Sequence, residues 1–308
     1  MRLTSFPAVR RFRLTERHYA WLFLLPSIIL LLFFLGWPLL QTIVFSLFDL
    51  ERTTALSLER FIGLHHFGQL LASMQFWRAL GFTLYLTVLA VALELVGGLL
   101  LALMSTALVG WMKGVSRCLM ILPWAMPPII LAAIWKWMLN SDVGWIGDLT
   151  VGMGITDTPP LFLGEPLLAM HCVVLLQAWR GMWMAGIFLT AGMAMTPREL
   201  HAAAAVDGAG AWQRFWRITL PLLRPAIVAT VLVRAVDALR AFEIVYGLTG
   251  GGPGQATEVL SSFAYRNFFS YLDYGRGAAG AVITFLVVSA VGWWHVRRMA
   301  GHVHNTLR

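Results

Sequence analysis

The chain has 308 residues, of which 59% are hydrophobic and only 12% charged. Soluble domains carry about 25% charged residues, so this balance excludes an ordinary soluble domain and points to an all-α integral membrane protein embedded in lipid. The net charge of +8 does not make nucleic acid a partner, because the basic residues gather at the ends of apolar runs, where membrane topology accounts for them.

A cytoplasmic basic segment, 1–19, comes first, with Arg2, Arg10, Arg11, Arg13 and Arg17. The apolar run after it is too long for a signal-peptide core and reads as an uncleaved first membrane helix. Crossing a bilayer takes roughly 20 mostly apolar residues. Six stretches qualify, at about 20–48, 79–108, 115–138, 167–195, 218–247 and 278–298, within a transmembrane domain of 20–299, and a tail of 300–308 follows. They lack the alternation of a membrane barrel, and in lipid a backbone that must satisfy itself becomes helical.

Loop charges set the orientation. The connection 139–166 has no Lys or Arg but holds Asp142, Asp148, Asp157 and Glu165. The segments 109–117 and 196–217 carry Lys113, Arg117, Arg198, Arg214 and Arg217, and the tail carries Arg297, Arg298 and Arg308. The positive-inside rule then places both termini and the stretch 196–221 in the cytoplasm of a multi-pass protein of the cell (inner) membrane.

That stretch, TPRELHAAAAVDGAGAWQRFWRITLP, is polar and alanine-rich between two membrane runs. Thr196 can cap a helix opening at Pro197, and Glu199 suits its first turn. The small side chains Ala203 and Ala204 permit close approach by another surface. Asp207-Gly208-Ala209 reads as a helix stop with Gly208 left-handed. A second helix follows, bearing Trp212, Phe215, Trp216 and Ile218, and Pro221 and Pro225 bend or start the next span. Physics alone leaves two readings open, an interfacial hairpin that anchors two spans and a docking knob for a cytoplasmic partner.

Other features carry two readings as well. Arg234, Asp237, Arg240 and Glu243 lie at steps of three in the fifth run, as a self-neutralising ladder or as a lining in which Asp237, Arg240, Glu243 and Tyr246 border a solute path. Glu94 precedes Gly97-Gly98, where close helix packing is expected, and reads as a structural carboxylate bonded to a neighbouring helix. TGGGPGQAT lacks the lysine of a phosphate loop. Its Gly250, Gly251, Gly252 and Pro253 make either a tight external turn that touches a partner or a free loop. Cys118 and Cys172 read as buried free thiols, and Trp21, Trp111, Trp179, Trp293 and Trp294 as an interfacial belt. His65, His66, His302 and His304 lack the companions of a metal site, and no metal is expected.

The stretch 196–221 resembles the EAA loop of permease subunits in binding-protein-dependent ABC importers. The family's E-A-A, D-G-A and I-x-L-P blocks meet Ala203-Ala204, Asp207-Gly208-Ala209 and Ile218-Thr219-Leu220-Pro221 at the family spacing. Ala202 replaces the first glutamate. FIGLHHFGQLL at 61–71, FWRALGFTLYL at 76–86 and AFEIVYGLTGGGPGQATEVLSSFAYRNFF at 241–269 resemble further family segments, with His66 and Phe82 where the family has asparagine. The carbohydrate branch, MalF-like and UgpA-like, is the most similar.

The resemblance implies a type I ABC importer fold with six transmembrane helices. It implies that Glu199, Ala203, Ala204, Asp207, Gly208, Ala209, Phe215 and Ile218 form a coupling helix seated on an ATPase subunit. That ATPase dimer would bind ATP and Mg, this chain holding no cofactor and being no enzyme. A second, related permease and an extracytoplasmic binding protein would complete the assembly. The substrate stays open among malto-oligosaccharide, trehalose, another disaccharide and glycerol-3-phosphate. A stand-alone ion-coupled carrier is the alternative, supported by the carboxylates of Glu94, Asp237 and Glu243. An absent internal repeat and the hairpin stand against it. A membrane-embedded enzyme is weaker still, since no nucleophile–base pairing stands out.

Overall fold

The computed structural model describes residues 16–52, 54 and 56–306. The basic segment before residue 16, with Arg2, Arg10, Arg11 and Arg13, lies outside the described residues, as do Arg308 and the side chains of Arg17, Arg198, Arg298, His302 and His304. Among the described residues the regular structure is helical, apart from the isolated bridges Phe48–Phe61 and Glu51–Asp273.

The order is α1 (Glu16–Leu31), α2 (Trp37–Phe45), α3 (His65–Ala72), α4 (Met74–Ala107), α5 (Trp111–Ala125), α6 (Pro128–Met138), α7 (Trp145–Gly152), α8 (Pro166–Ala194), α9 (Arg198–Val206), α10 (Ala211–Arg214), α11 (Leu220–Leu239), α12 (Phe242–Leu248), α13 (Leu260–Tyr265) and α14 (Tyr274–Thr306). Wider π-type turns at Leu32–Gly36 and Phe215–Thr219 join neighbouring helices without a loop, and a third at Arg266–Ser270 extends α13 before the short link 271–273.

The centre is the parallel pair α4 and α8. Tyr85 meets His171 at 3.1 Å near their starts, and Thr106 reaches Met193 near their ends. Between these, α4 runs on small residues: a Cβ at Gly97 would stand 2.9 Å from Met182 Sδ, and one at Gly98 2.7 Å from Ala185 Cβ. The close packing expected at Gly97-Gly98 is therefore present, against α8. The helix α11 crosses the pair in the opposite direction, with Leu223 beside Ala102 and Leu189, and Ala235 and Ala238 beside Val91. The main apolar core lies toward the start of α4, where Phe82 and Leu86 meet Leu131, Val173, Leu176, Ile244 and Leu248. Phe82, in the family's asparagine position, is buried there.

These directions sort the connections onto two ends. One end holds 46–73, 139–165 and 240–273. There His66 Nε2 bonds Phe48 O at 3.2 Å, the Arg52 N–H donates to Leu272 O at 2.8 Å, and the Leu260 N–H donates to Thr83 Oγ1 at 2.9 Å. The opposite end holds 108–110 and 195–214.

Several expectations change. Four helices among the described residues are long and apolar enough to span, Tyr19–Phe45, Met74–Ala107, Pro166–Ala194 and Tyr274–Arg297. The third stretch, expected as one helix over 115–138, is α5 and α6, bent by 87°. Pro127 and Pro128 remove the N–H donors that would carry the helix through, and with the pair counted as one span five of the six stretches qualify by length and composition. The fifth, expected over 218–247, breaks at Arg240, and α11 carries Arg224, Arg234 and Asp237. Pro197 stands at the cap of α9 rather than in its first turn, and no side chain caps that helix. Cys118 is exposed while Cys172 is buried. Trp179 is half-buried midway along α8, beside Trp135 and Trp183, rather than at a helix end.

Gly98→Leu should drive a side chain into the α8 backbone and lower the thermal stability of the purified protein by about 2 kcal/mol or more. Gly36→Leu, where a Cβ meets only its own helix's Leu32, should leave the same melting measurement nearly unchanged.

Candidate functional site

Charged side chains converge in the middle of the bundle. Glu94 on α4 is fully buried and Arg234 on α11 is 2% exposed. Arg234 Nε donates to Glu94 Oε2 at 2.7 Å and its Nη2 to Oε1 at 3.0 Å, a two-pronged pair that satisfies both carboxylate oxygens. The pair needs α8 at its closest: a Cβ on Gly181 would overlap the Glu94 carboxyl and touch Arg234 Nη2.

Next to this pair, Asp237 Oδ2 accepts from three groups, Arg234 Nη2 at 3.1 Å, Arg180 Nη1 at 3.4 Å and Gln177 Nε2 at 3.4 Å. Asp237 is 32% exposed and Arg180 12%. Both line a cavity of about 440 Å³ that Gln177, Arg240, Phe242 and Glu243 also border, with Pro128 of α6 on the far wall.

The expected ladder of Arg234, Asp237, Arg240 and Glu243 is therefore only half formed. Arg234 and Asp237 pair, but the helix ends before Arg240. The Arg240 N–H bonds Asp237 O at 3.1 Å and the Phe242 N–H bonds Arg240 O at 2.7 Å, which turns the chain. The break leaves a cation at the C-terminus of α11 and a carboxylate in the first turn of α12, each at the helix end that favours its sign. Arg240 and Glu243 are exposed to the cavity, and Tyr246 lies one turn further along α12. Arg180, Gln177 and Gly181 carried no assignment from sequence. The signal for them was Arg180 itself, a charge in the middle of an apolar run, with Gln177 one turn before it on the same face.

The hairpin lies at the opposite end. In α9 none of the described residues is buried, and Ala203, Val206 and Asp207 face outward. Glu199 occupies the first turn. The Asp207 N–H bonds Ala203 O at 3.0 Å and the Ala209 N–H bonds Ala204 O at 2.9 Å, closing the helix around Gly208, whose φ is 79°. The left-handed stop expected at Gly208 is present. Gln213 Oε1 accepts the Gly210 N–H at 3.2 Å and starts α10. Phe215 and Ile218 lie in the π turn that leads into α11, and Phe215 packs with Trp212 and Trp216. The expected second helix is thus the start of α11 itself.

The TGGGP turn is ordered by its own hydrogen bonds rather than free. Thr257 Oγ1 lies 2.7 Å from Thr249 Oγ1 and 2.6 Å from Gly252 O. Gly250 and Gly251 hold φ of 63° and 89°, positions that side chains resist. Gly252 and Pro253 are half-buried beside them. Arg266 Nη2 reaches Gly250 O at 3.3 Å and Glu258 Oε1 at 3.2 Å. Burial pushes the Glu258 carboxyl above its ordinary value, and Arg266 opposes the shift without reversing it.

Arg234→Ala leaves the Glu94 carboxylate buried without its cation and should destabilise the protein by about 3–5 kcal/mol. Replacing both charges together, as Glu94→Gln with Arg234→Met, should recover most of that loss in the same melting experiment. For the turn, a raised carboxyl means that the folded loop holds its proton more tightly than the unfolded chain does. Loop stability is then greatest below pH 4.5 and falls as pH rises above that value. Hydrogen exchange of the 249–258 amides should follow this trend in the wild type and lose it in Glu258→Gln.

A family model described as "Binding-protein-dependent transport system inner membrane component" matches residues 94–298. The trehalose/maltose transport system permease protein MalF of Thermococcus litoralis is 35% identical over 274 residues, 89% of this chain and 90% of that one. The sn-glycerol-3-phosphate transport system permease protein UgpA of Agrobacterium fabrum is 33% identical over 285 residues, 92% of this chain and 95% of that one. Among solved structures, a bacterial ABC transporter involved in the import of the acidic polysaccharide alginate aligns with a TM-score of 0.77 at 25% identity, over 92% of this chain and 96% of that one. The bacterial alginate ABC transporter in complex with an alginate pentasaccharide-bound periplasmic protein aligns at 0.75 and 25% identity, over 90% and 92% of the two chains. With two thirds of its length matched by the family model and relatives aligned nearly end to end, the chain belongs to the inner membrane components of binding-protein-dependent ABC transport systems.

Proposed function

We propose that the chain is one permease subunit of an ATP-driven importer that carries a sugar, or a related polyol, delivered by an extracytoplasmic binding protein. The observation that carries the proposal is the bare hairpin. The helix α9 displays small side chains and no cover from its own chain, at the end opposite the charged cavity, in the register of the family's EAA loop. In this reading α9 sits in a cleft of an ATPase subunit, with Glu199, Ala203, Ala204, Asp207, Gly208 and Ala209 at the contact and Phe215 and Ile218 behind it. A dimer of that ATPase binds ATP and Mg. A second, related permease faces this one across the solute path. The end with α9 is cytoplasmic, as are both termini, in accord with the lysines and arginines there.

The path passes Asp237, Arg240, Glu243 and Tyr246, and the turn Gly250–Pro253 meets the binding protein. Support for a sugar comes from the relatives' names, which include trehalose, maltose and glycerol phosphate, and from the alginate pentasaccharide-bound periplasmic protein in complex with the alginate transporter. Paired carboxylates and guanidinium groups with aromatic rings beside them also suit hydroxyl-rich solutes. The ion-coupled alternative drew its support from the carboxylates of Glu94, Asp237 and Glu243. Glu94 and Asp237 are both engaged by Arg234, which leaves that reading with Glu243 alone.

Gly208→Val tests the hairpin. A Cβ there meets no neighbour, so the only penalty is the left-handed backbone, about 1–2 kcal/mol and more for a branched side chain. Purified from its native membrane in mild detergent, the wild type should bring an ATPase and a second permease with it. The variant should retain the second permease, hold the ATPase about tenfold less well and lose ATP-driven uptake. A variant that keeps both its ATPase and normal uptake would reduce the hairpin to a membrane anchor.

A further inference from the structure

Phe242 forms part of the wall of the charged cavity, and a line of rings leads away from it. Its ring stacks on Tyr246 at 5.3 Å and 22° and leans on Tyr265 at 4.9 Å and 47°. Tyr265 in turn meets Phe269 at 4.9 Å and 37°. Four rings from α12, α13 and the π turn after α13 thus form one unbroken series. These are not core residues: Tyr246 is 48% exposed and Phe269 59% exposed. The π turn matters, because Tyr265 stands at its cap and Phe269 lies within it, four residues on.

The series has a particular chemistry. It offers flat apolar faces interrupted by phenol hydroxyls, with the Tyr246 and Tyr265 rings edge to face at 5.4 Å. It begins where guanidinium and carboxylate groups of Arg180 and Asp237 stand together, and it ends in the open, on the end of the molecule that carries the TGGGP turn. A lipid chain or an apolar helix would gain nothing from the charged end. A pyranose ring matches both parts, having a C–H face that stacks on aromatic rings and a hydroxyl rim that bonds carboxylate and guanidinium groups.

We propose that Phe242, Tyr246, Tyr265 and Phe269 form a saccharide track that takes pyranose rings face-on at the outer end and passes them to the cavity of Arg180 and Asp237. The proposal rests on the importer reading and adds a demand for cyclic sugars. Stacking of this kind responds to loss of the ring face rather than of the hydroxyl.

The test uses the whole transporter, this chain with its ATPase, second permease and binding protein, in proteoliposomes supplied with ATP. Uptake of trehalose, maltose and glycerol 3-phosphate is measured separately. Phe269→Ala and Tyr265→Leu should each lower uptake of the transported disaccharide about five- to tenfold below saturation, the scale of one lost stacking contact together with its buried area. Tyr265→Phe, which keeps the ring, should lose distinctly less than Tyr265→Leu, and the second permease should stay bound in all three. Unchanged uptake in Phe269→Ala and Tyr265→Leu would overturn the track. So would a loss that accompanies release of the second permease, which would make the rings a subunit contact. A wild type that carries glycerol 3-phosphate and no disaccharide would also overturn the track while leaving the importer reading intact. A wild-type chain that brings no ATPase or second permease with it when purified in mild detergent would overturn both.

Discussion

The ion pair of Glu94 and Arg234 is the constraint on which the rest of the bundle depends. Two opposite charges in an apolar interior are tolerable only when each satisfies the other with good geometry, and the forked contact at 2.7 and 3.0 Å does so. That contact fixes the rotation of α11 against α4. It also dictates the residue on the third helix, since only glycine at 181 leaves room for the carboxyl. The glycines at 97 and 98 serve the same approach from the other side. Three helices are thus held in register by one polar contact and a strip of missing side chains. Apolar packing fills in around them, with little positional preference of its own in lipid.

A second consequence concerns charge. Glu94 takes up one positive equivalent of Arg234, and Asp237 shares its charge among Arg234, Arg180 and Gln177. Arg240 and Glu243 then stand at a helix end of matching sign. The cavity is lined by many charges yet balanced, so it can bond a polar, uncharged solute at its rim without holding an ion tightly. Its shape comes from two interruptions, the bend at Pro127 in the α5–α6 pair and the break at Arg240, which face each other across the opening.

The class of the molecule and the hairpin were legible in the sequence because their signals are local. Long apolar runs, a glycine at a helix stop and the small residues at 97–98 act within a few residues of themselves. What escaped was set by contacts between distant segments. Glu94 and Arg234 are 140 residues apart, and nothing near either one names the other. Arg180 was passed over as part of an apolar run. The ladder at steps of three assumed an unbroken helix through Arg240, and no proline or glycine marks the break there. By contrast the 87° bend was announced by Pro127-Pro128, and reading 115–138 as straight ignored that signal. Trp179 was assigned to a helix end, whereas it lies midway along α8, half-buried beside Trp135 and Trp183.

The passage from α10 through the π turn into α11 contains no loop. From Ala211 to Leu239 the chain turns continuously over about 40 Å. Its bends are confined to the π turn and to Pro225, so the hairpin at one end and Asp237 near the other are joined by one helical segment without a loop. The rod stops at Arg240. Beyond it α12 is keyed to α6, where a Cβ on Gly247 would stand 2.8 Å from Ala132 Cβ and from Ile129 Cδ1. The cavity therefore lies at the seam between a stiff lever and a fixed jaw. A displacement of the exposed hairpin is carried to that seam, between Asp237 and Phe242, by a hydrogen-bonded helix that bends only at the π turn and Pro225.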